Sequence, residues 1–389
     1  MANSLSVSQI YTVLNSIAHQ ATGNTSLTAT DTSSFVTVAD ITLKSGMDNL
    51  ISAISQTLSR TIFSIRPYER KFKSLYKDTI AFGNHVRKLN IADKDWVSDD
   101  RLPLTEGSSV DPFIVSKPNV LQMNLYGQEV YERFYTIFRD QLDVAFSSPE
   151  ELSRFFTMLV SNCSDMIEQG HEGLSRMTVV NAIGGILTLN NTSQIVHLLT
   201  EYNTATGLSL TATTVYQPDN FKAFIQWAYA RMAAVSELMT ERSIIFHNNI
   251  SGKEISRHTP KSLQRAYIYA PTKYMVDAMV YANTFNDQYL KGIDAEVVNY
   301  WQSIETPDSI NVTVSYTDTD GTVKKSSAVE QDAIFALICD DEFMGYTTIN
   351  EWSAPSVFNP RGGYSNVFFH FTDRYFVDNT ENAVLFLLD

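Results

Sequence analysis

The chain has 389 residues, of which 44% are hydrophobic and 19% charged, so it can build packed cores and its composition argues against disorder. Its net charge is −14, from 29 basic and 43 acidic residues, which excludes a protein that wraps nucleic acid with its whole surface. The two cysteines, Cys163 and Cys339, are too few for a disulfide framework, and no Cys/His cluster for zinc accompanies them.

The N-terminal sequence predicts no signal peptide, because no basic segment followed by an apolar segment is present. The longest apolar run, around 333–339, is far shorter than the ~20 residues that a membrane span requires. We therefore expect a soluble protein of a reducing, intracellular compartment, with no membrane partner.

The first 46 residues are rich in serine and threonine. Val7, Ile10, Leu14 and Ile17 recur at helical spacing and predict an amphipathic helix over 6–20 that needs a partner surface. The polar sequence TGNTSLTATDTSS follows and is interpreted as a linker, which makes the first segment an arm and not a core element. A second helix is predicted at 47–59.

A basic stretch follows at 60–94, with a net charge of +6 against −20 for the rest of the chain. Strand patterns near 79–91 and at 121–126 predict a long two-stranded hairpin with a loop at its tip. The basic residues could bind phosphate, form a solvated face, or contact acidic surface on another copy of the chain. We favour the third interpretation. The predicted inter-subunit contact residues are Arg66, Arg70, Lys71, Lys73, Lys77, Arg87 and Lys88.

The strongest local signal comes next in the chain. Ser148, Pro149 and Glu151 form a helix start, and apolar periodicity predicts a spine helix of roughly 35 residues that ends near Gly184. Further helices are predicted from Pro218 and Pro271. The remaining segments indicate an α+β fold with mixed or antiparallel sheets. The predicted strands are 242–248, 265–270, a hairpin at 310–325 turning at Asp320-Gly321, 333–339, 365–376 and 383–388.

The sequence motifs that could carry catalysis or bind a metal are incomplete. His171-Glu172 lacks the second histidine of a zinc-protease helix, since position 175 is serine. The run from Cys339 to Glu342 is better explained as a charged strand end than as a metal site. The segment from Arg361 to Ser365 lacks the phosphate-loop and dinucleotide patterns and is interpreted as a turn.

A denser polar constellation spans 237–258. It could form an acid/base site, although polar networks that fix a core or an interface have a similar composition. We predict no catalytic residue, no cofactor and no metal, and keep as the alternative an intracellular hydrolase or lectin-like binding protein that uses this cluster. Its members are Glu237, Glu241, Arg242, His247, Arg257 and His258.

The order of these elements resembles the major capsid proteins of tailed double-stranded-DNA bacteriophages, which have the Hong Kong 97-type fold, and the sequence text is most similar to podovirus-like members. No single motif is diagnostic, so the resemblance depends on the ordered set from about residue 45 onward. The segments that carry it are RTIFSIRPYERKF, FGNHVRKLNIADKDW, KPNVLQMNLYG, TIFRDQLDVAF, SELMTERSIIFH, SRHTP, PDSINV and TENAVLFLLD.

The resemblance implies a head protein that self-assembles into hexamers and pentamers of an icosahedral shell. Such a shell would enclose double-stranded DNA without sequence-specific binding, with a separate scaffolding protein and a portal as partners, and would assemble in the cytoplasm of the bacterial host. The implied domains are an N-terminal arm (1–45), a peripheral domain with the spine helix (46–61 and 129–190, with part of 351–389), an extended loop (62–128) and a mixed α+β axial domain (191–350).

Overall fold

A computed structural model of the chain describes most of its residues. Contacts between residues divide the chain into two units. Unit 1 comprises Met1–Lys73, Gln128–Leu174 and Thr347–Arg374, and unit 2 comprises Ser74–Gly127, Ser175–Tyr346 and Tyr375–Asp389. The described residues are 7–61, 71–77, 86–92, 104–115, 117, 119–125, 127–250, 252–281 and 295–389.

The described residues contain helices at each position where apolar periodicity predicted one. The α-helices are α1 (Val7–Thr22), α2 (Thr32–Lys44), α3 (Met47–Thr61), α4 (Arg139–Ala145), α5 (Pro149–Leu189), α6 (Leu198–Thr206), α7 (Pro218–Leu238) and α8 (Ala270–Tyr281). The spine helix α5 is confirmed, and the Ser148 hydroxyl accepts the Glu151 backbone N–H at 3.3 Å as expected of an N-cap.

The strands confirm the predicted α+β class. They are β1 (Val86–Ala92), β2 (Asn119–Leu125), β3 (Gln128–Phe138), β4 (Ile195–His197), β5 (Gln264–Tyr269), β6 (Ala295–Val298), β7 (Ile310–Val312), β8 (Ser315–Thr317), β9 (Val323–Lys325), β10 (Val329–Gln331), β11 (Ile334–Asp340), β12 (Met344–Pro355), β13 (Tyr364–Val377) and β14 (Ala383–Leu387). The predicted strand at 242–248 is wrong, because this segment is irregular apart from a bridge between Ser243 and Arg257.

The N-terminal segment of unit 1 differs from the arm interpretation. The buried side chains of α1 join one hydrophobic core with those of α2, α3 and the sheet of unit 1. The Asn15 side chain bonds both the backbone N–H and the carbonyl of Ala29, at 2.6 and 3.2 Å, and so holds the supposed linker against α1. The sequence alone hid α2, because its serines and threonines resemble a loop.

Two hydrogen bonds explain why α2 begins where it does. The Asp31 carboxylate accepts the Ser34 backbone N–H at 2.7 Å, and the Ser34 hydroxyl accepts the Asp31 backbone N–H at 2.9 Å. This reciprocal capping satisfies two amides that the first helical turn leaves unpaired. Farther along α2, the buried Thr42 hydroxyl donates to the Val38 carbonyl at 2.6 Å, so a polar side chain fits inside the core.

A three-stranded sheet in the order β12-β13-β3 completes unit 1. Alternate residues of β13, among them Val367, Phe369 and Phe371, are buried in the core of unit 1. The opposite face is aromatic, and there the rings of Trp352 and His370 stack with centroids 3.9 Å apart. Strands β3 and β12 were not predicted.

Unit 2 is built on a five-stranded mixed sheet in the order β4-β14-β11-β5-β6. Strands β11 and β14 are buried throughout, and the apolar face of α7 joins their core. The short hairpin β8–β9 turns at Asp320-Gly321 as predicted, with Gly321 at φ +84°, where glycine is favoured.

This division differs from the domain boundaries that the sequence suggested. Residues 1–45, where an arm was expected, belong to unit 1, and the loop expected at 62–128 is divided between the units, with most of it in unit 2. The assignment of peripheral and axial roles to the two units stays an interpretation.

A candidate assembly site on the β1–β2 ribbon

Strands β1 and β2 pair antiparallel along their whole length, with Lys88 opposite Met123 and Arg87 opposite Asn124. We call this pair of strands, 86–92 and 119–125, the ribbon. It confirms the predicted hairpin over the described residues, while residues 79–85 of the first predicted strand lie outside them. Because side chains alternate between the faces of a strand, the ribbon has two chemically different faces.

The inward face of the ribbon lies against its own unit. Asn90, Ala92 and Met123 are buried on this face, and Lys88 is half-buried beside them. Lys88 and Met123 contact the connection between β13 and β14. This connection is a run of five polar residues, from Asp378 to Asn382, that we call the polar turn. No residue of the polar turn is more than 5% exposed.

The Lys88 ammonium donates to the carboxylates of Asp378, at 2.9 Å, and Glu381. The exposed Glu342 carboxylate lies 3.4 Å from the same nitrogen. Burial lowers the pKa of Lys88, but the charges and hydrogen bonds of Asp378 and Glu381 outweigh it, so that the pKa is raised overall. Lys88 is therefore a stable cation in this site.

Arg257 supplies a second cation. Its Nη1 lies 2.7 Å from Glu381 Oε1, its Nε donates to the Thr380 carbonyl at 2.9 Å, and its Nη2 donates to Asn90 Oδ1 at 3.1 Å. Burial raises the pKa of Glu381 against the pull of both cations. The neighbouring Asp378 carboxylate raises the pKa of Glu381 further, because two like charges lie close together.

A second ion cluster lies where β11 ends. The carboxylate of Asp341 accepts from Lys77 and, at 2.8 Å, from Arg265 Nε. Burial acts to raise the pKa of Asp341, yet the two cations lower it overall. Lys77 is thus paired within its own chain.

The structure separates the seven predicted contact residues into three groups. Lys77 and Lys88 bind carboxylates of their own chain, where the sequence interpretation placed them between copies. Lys71, Lys73 and Arg87 are exposed, and the Lys71 backbone N–H donates to Glu172 Oε2 at 2.7 Å. Arg66 and Arg70 lie outside the described residues.

Sequence reasoning missed Asp378 and Glu381. Five consecutive polar residues between two strands are typical of an exposed turn, so no local signal indicated that these would be buried. The sequence singled out only the two cations of this site. Lys88 lies in the basic stretch and Arg257 lies in the 237–258 constellation.

The 237–258 constellation does not converge on one site. His247 is buried and its Nδ1 lies 3.0 Å from Asn382 Oδ1, whereas Glu237, Glu241, Arg242 and His258 are exposed. The other candidate motifs of the sequence also lie at separate places in the fold. His171 is buried with its Nε2 3.3 Å from the Thr348 hydroxyl, Cys339 is buried within β11, and Arg361 to Gly363 form the turn between β12 and β13.

Over the described part of the chain, no three histidine, cysteine or acidic side chains are grouped so that they could hold a metal ion. In the same residues, no helix combines the length and the apolar character needed to cross a membrane.

The buried His247 predicts a pH dependence of stability. Burial lowers its pKa, outweighing the hydrogen bond to Asn382, and the Arg257 cation lowers it further. The unfolded chain, with a histidine pKa of about 6.5, then binds the proton more readily than the folded chain. This contribution to stability is present above about pH 6.5 and is lost as the pH falls through the folded-state pKa.

We expect urea unfolding to show a smaller loss of stability between pH 7 and pH 5 in His247→Gln than in the unmodified chain. The matched control is His258→Gln, because His258 is exposed. Equal pH dependence in all three proteins would contradict the assigned role of His247.

The profile of the Phi29-like phage major capsid protein family matches residues 14–387, nearly the whole chain. The chain belongs to this family. It is a structural protein of a phage shell and not an enzyme, which leaves the hydrolase or lectin-like alternative without support. Its place is the capsid of the virion.

Solved structures agree on the Hong Kong 97-like capsid fold. A chain from the capsid structure of Staphylococcus phage Andhra has a TM-score of 0.52 and 12% identity, over 82% of this chain and 84% of that one. A chain from the structure of the head fiber and inner core protein gp22 of native bacteriophage P68 has a TM-score of 0.55 and 11% identity, over 83% and 86%. No curated protein matches the chain.

Proposed function

We propose that this capsid protein forms the hexamers and pentamers of an icosahedral head around double-stranded DNA, and that the outward face of the ribbon contacts neighbouring subunits. The supporting observation is the exposure of three large apolar side chains on that face: Leu89 (58%), Ile91 (65%) and Val120 (48%). Ile91 and Val120 are directly opposite each other in the register. Grouped apolar surface of this kind marks interaction sites on soluble proteins.

The charge of the basic stretch at 60–94 favours another copy of this chain as the partner. Arg87 stands on the outward face beside Leu89, while Lys71 and Lys73 are exposed in the same basic stretch. Most of the remaining chain is acidic, since 60–94 carries +6 and the other residues −20. A positive segment and a negative surface on the same molecule fit a heterologous contact that repeats around a ring. Arg66 and Arg70 belong to the same proposal through their place in the basic stretch.

The net charge of −14 also bears on the DNA inside the shell. Phosphate binding needs basic surface, so an acidic protein would enclose DNA without sequence-specific binding and without retaining it on the wall. We extend the proposal to a separate scaffolding protein and a portal as partners, and to assembly in the host cytoplasm. These three points are supported by the family membership alone.

Particle formation tests the shell. The full-length chain, purified and concentrated with and without a co-expressed scaffolding protein of its phage, should give closed particles in electron micrographs. A three-dimensional reconstruction should show six-fold and five-fold capsomers. Subunits that stay monomeric under both conditions would contradict self-assembly.

Charge reversal tests the electrostatic part of the contact. Lys71→Glu with Arg87→Glu should raise the protein concentration needed for assembly by roughly threefold to tenfold, because each exposed pair contributes only about 0–1 kcal/mol. Added salt should weaken assembly of the unmodified chain, since exposed charges are screened.

The matched control is Lys222→Glu with Lys325→Glu, which makes the same charge change at exposed lysines outside the basic stretch. Equal assembly of both double variants, with the same salt dependence, would contradict the contact. Assembly that stays intact while affinity for DNA falls would favour the phosphate-binding interpretation instead.

A further inference from the structure

A two-stranded ribbon is marginal in water by itself, because it buries too little apolar surface. This ribbon is held to unit 2 by polar contacts from both strands. On β1, Lys88 binds Asp378 and Glu381, and Asn90 accepts from Arg257.

The second strand has contacts of its own. The Thr380 hydroxyl oxygen lies 3.7 Å from the Met123 sulfur, and the Lys253 ammonium donates to the Val120 carbonyl at 3.0 Å. Because both strands are bound, the ribbon can neither slide nor rotate about one strand without breaking hydrogen bonds.

The polar turn is itself fixed by backbone hydrogen bonds at both ends. The Asp378 N–H donates to the Phe343 carbonyl at 2.7 Å, and the Asn382 carbonyl accepts from the Asp340 N–H at 2.8 Å. Between them, the Asn379 carbonyl accepts from the Asn248 N–H at 2.9 Å. A turn held at its two ends and its middle gives Lys88 a rigid pair of carboxylates.

Close packing restricts the polar turn further. A Cβ added to Gly185 of α5 would lie 3.1 Å from Asn379 Nδ2, so the helix backbone closely approaches the turn. Within the turn, the Asp378 carboxylate also accepts from the Thr380 hydroxyl at 2.6 Å. Each oxygen of Asp378 therefore has its own donor, and the carboxylate has one orientation.

We propose that the polar turn positions the ribbon on its own subunit before any neighbour binds, and that Lys88 is the positioning residue. The outward apolar face is then presented in a defined direction by each free subunit, and the entropy of ordering the ribbon is lost on folding and not on assembly. The inference deepens the proposed function, since it takes the ribbon as the contact between copies. Lys88 acts on assembly through the ribbon that it positions.

Hydrogen exchange on the full-length chain, kept below its assembly concentration, tests this directly. In Lys88→Met the amides of 86–92 and 119–125 should exchange at least about a hundredfold faster than in the unmodified chain, because the variant leaves two buried carboxylates short of a cation. Amides of β11 and β14 should keep their protection, which shows that unit 2 is folded. Lys88→Arg should restore much of the ribbon's protection.

Two further variants keep the test decisive. Arg87→Met removes a cation from the outward face of the same strand and should leave ribbon exchange unchanged. Asn90→Ala removes the hydrogen bond from Arg257 and should raise the exchange rate of the ribbon amides by a smaller factor. This variant provides the test if Lys88→Met fails to fold. Unchanged ribbon protection in both Lys88→Met and Asn90→Ala would overturn the inference.

Hydrogen exchange is measured here on unassembled subunits. Its result therefore does not depend on whether the ribbon contacts other subunits in a shell. Failure of the ribbon as a contact between copies would appear in assembly experiments with Leu89 and Ile91 variants. Failure of the positioning role would appear in the free subunit.

Discussion

Leu89→Thr combined with Ile91→Thr is expected to prevent shell assembly while the subunit stays folded. Both side chains are exposed on the outward face of the ribbon, so their replacement removes nothing from the core of the free subunit. Threonine is β-branched and keeps the strand preference of the ribbon. The effect should therefore appear between subunits and not within them.

The expected size follows from apolar burial. Covering one leucine or isoleucine side chain stabilises a contact by about 1.5–3 kcal/mol, so losing two should weaken each contact by about 3 kcal/mol or more. This corresponds to roughly a hundredfold in the dissociation constant of one contact. A closed shell repeats the contact in every subunit, so particle yield should fall below detection at concentrations where the unmodified chain assembles.

Particle yield after sedimentation and the urea midpoint of the free subunit are the two measurements. The matched control is Ile304→Thr with Val323→Thr, which changes two exposed apolar residues outside the ribbon. Normal particles from the ribbon variant would exclude this face as a contact. If the control variant loses assembly as well, the effect is not specific to the ribbon as a contact between subunits.

The faces of the ribbon illustrate what the sequence can predict. The alternation of Leu121, Met123 and Leu125 with polar residues predicted strand β2, because side-chain direction in a strand is a local property with a period of two. The sequence also marked Lys88 as part of a distinctive basic stretch. It could not indicate that Asp378 and Glu381 bind this lysine, because these carboxylates are 290 and 293 positions away along the chain.

Pairing between distant parts of the chain also hid a strand in the sheet of unit 1. Strand β3 pairs with β13 from Gln128 opposite Arg374 to Phe138 opposite Tyr364. Several outward residues of β3 are large and apolar, including Val130 and Phe134, so the alternation that marks a half-buried strand is blurred. Only the pairing with a strand more than 200 residues later establishes β3 as a strand, and such pairing leaves no local signal.

The largest effect on stability is expected at the N-terminus, where sequence and structure disagree. If residues 1–45 were an arm, truncating side chains of α1 would leave the rest of the subunit unchanged. In the structure Leu14 and Ile17 are fully buried and share one core with α3 and the sheet of unit 1. Core packing of this kind makes α1 part of the folded unit.

Leu14→Ala combined with Ile17→Ala should therefore lower the free energy of unfolding of unit 1 by about 4–8 kcal/mol, since each large-to-small change in a core costs about 2–5 kcal/mol. This is comparable to the whole stability of many domains, about 5–15 kcal/mol, so the variant should be largely unfolded in unit 1 at 37 °C. Hydrogen exchange in β13 should report the loss, because Val367 and Phe369 belong to the same core.

Val7→Ala combined with Val36→Ala is the matched control, since these residues are exposed on α1 and α2. This pair should change the free energy of unfolding by less than about 1 kcal/mol. If the Leu14 and Ile17 variant instead keeps full protection in β13 and an unchanged urea midpoint, residues 1–45 act as an arm after all. If protection is lost only in the core variant, the N-terminal helices belong to the subunit, and cutting them away would remove part of its core.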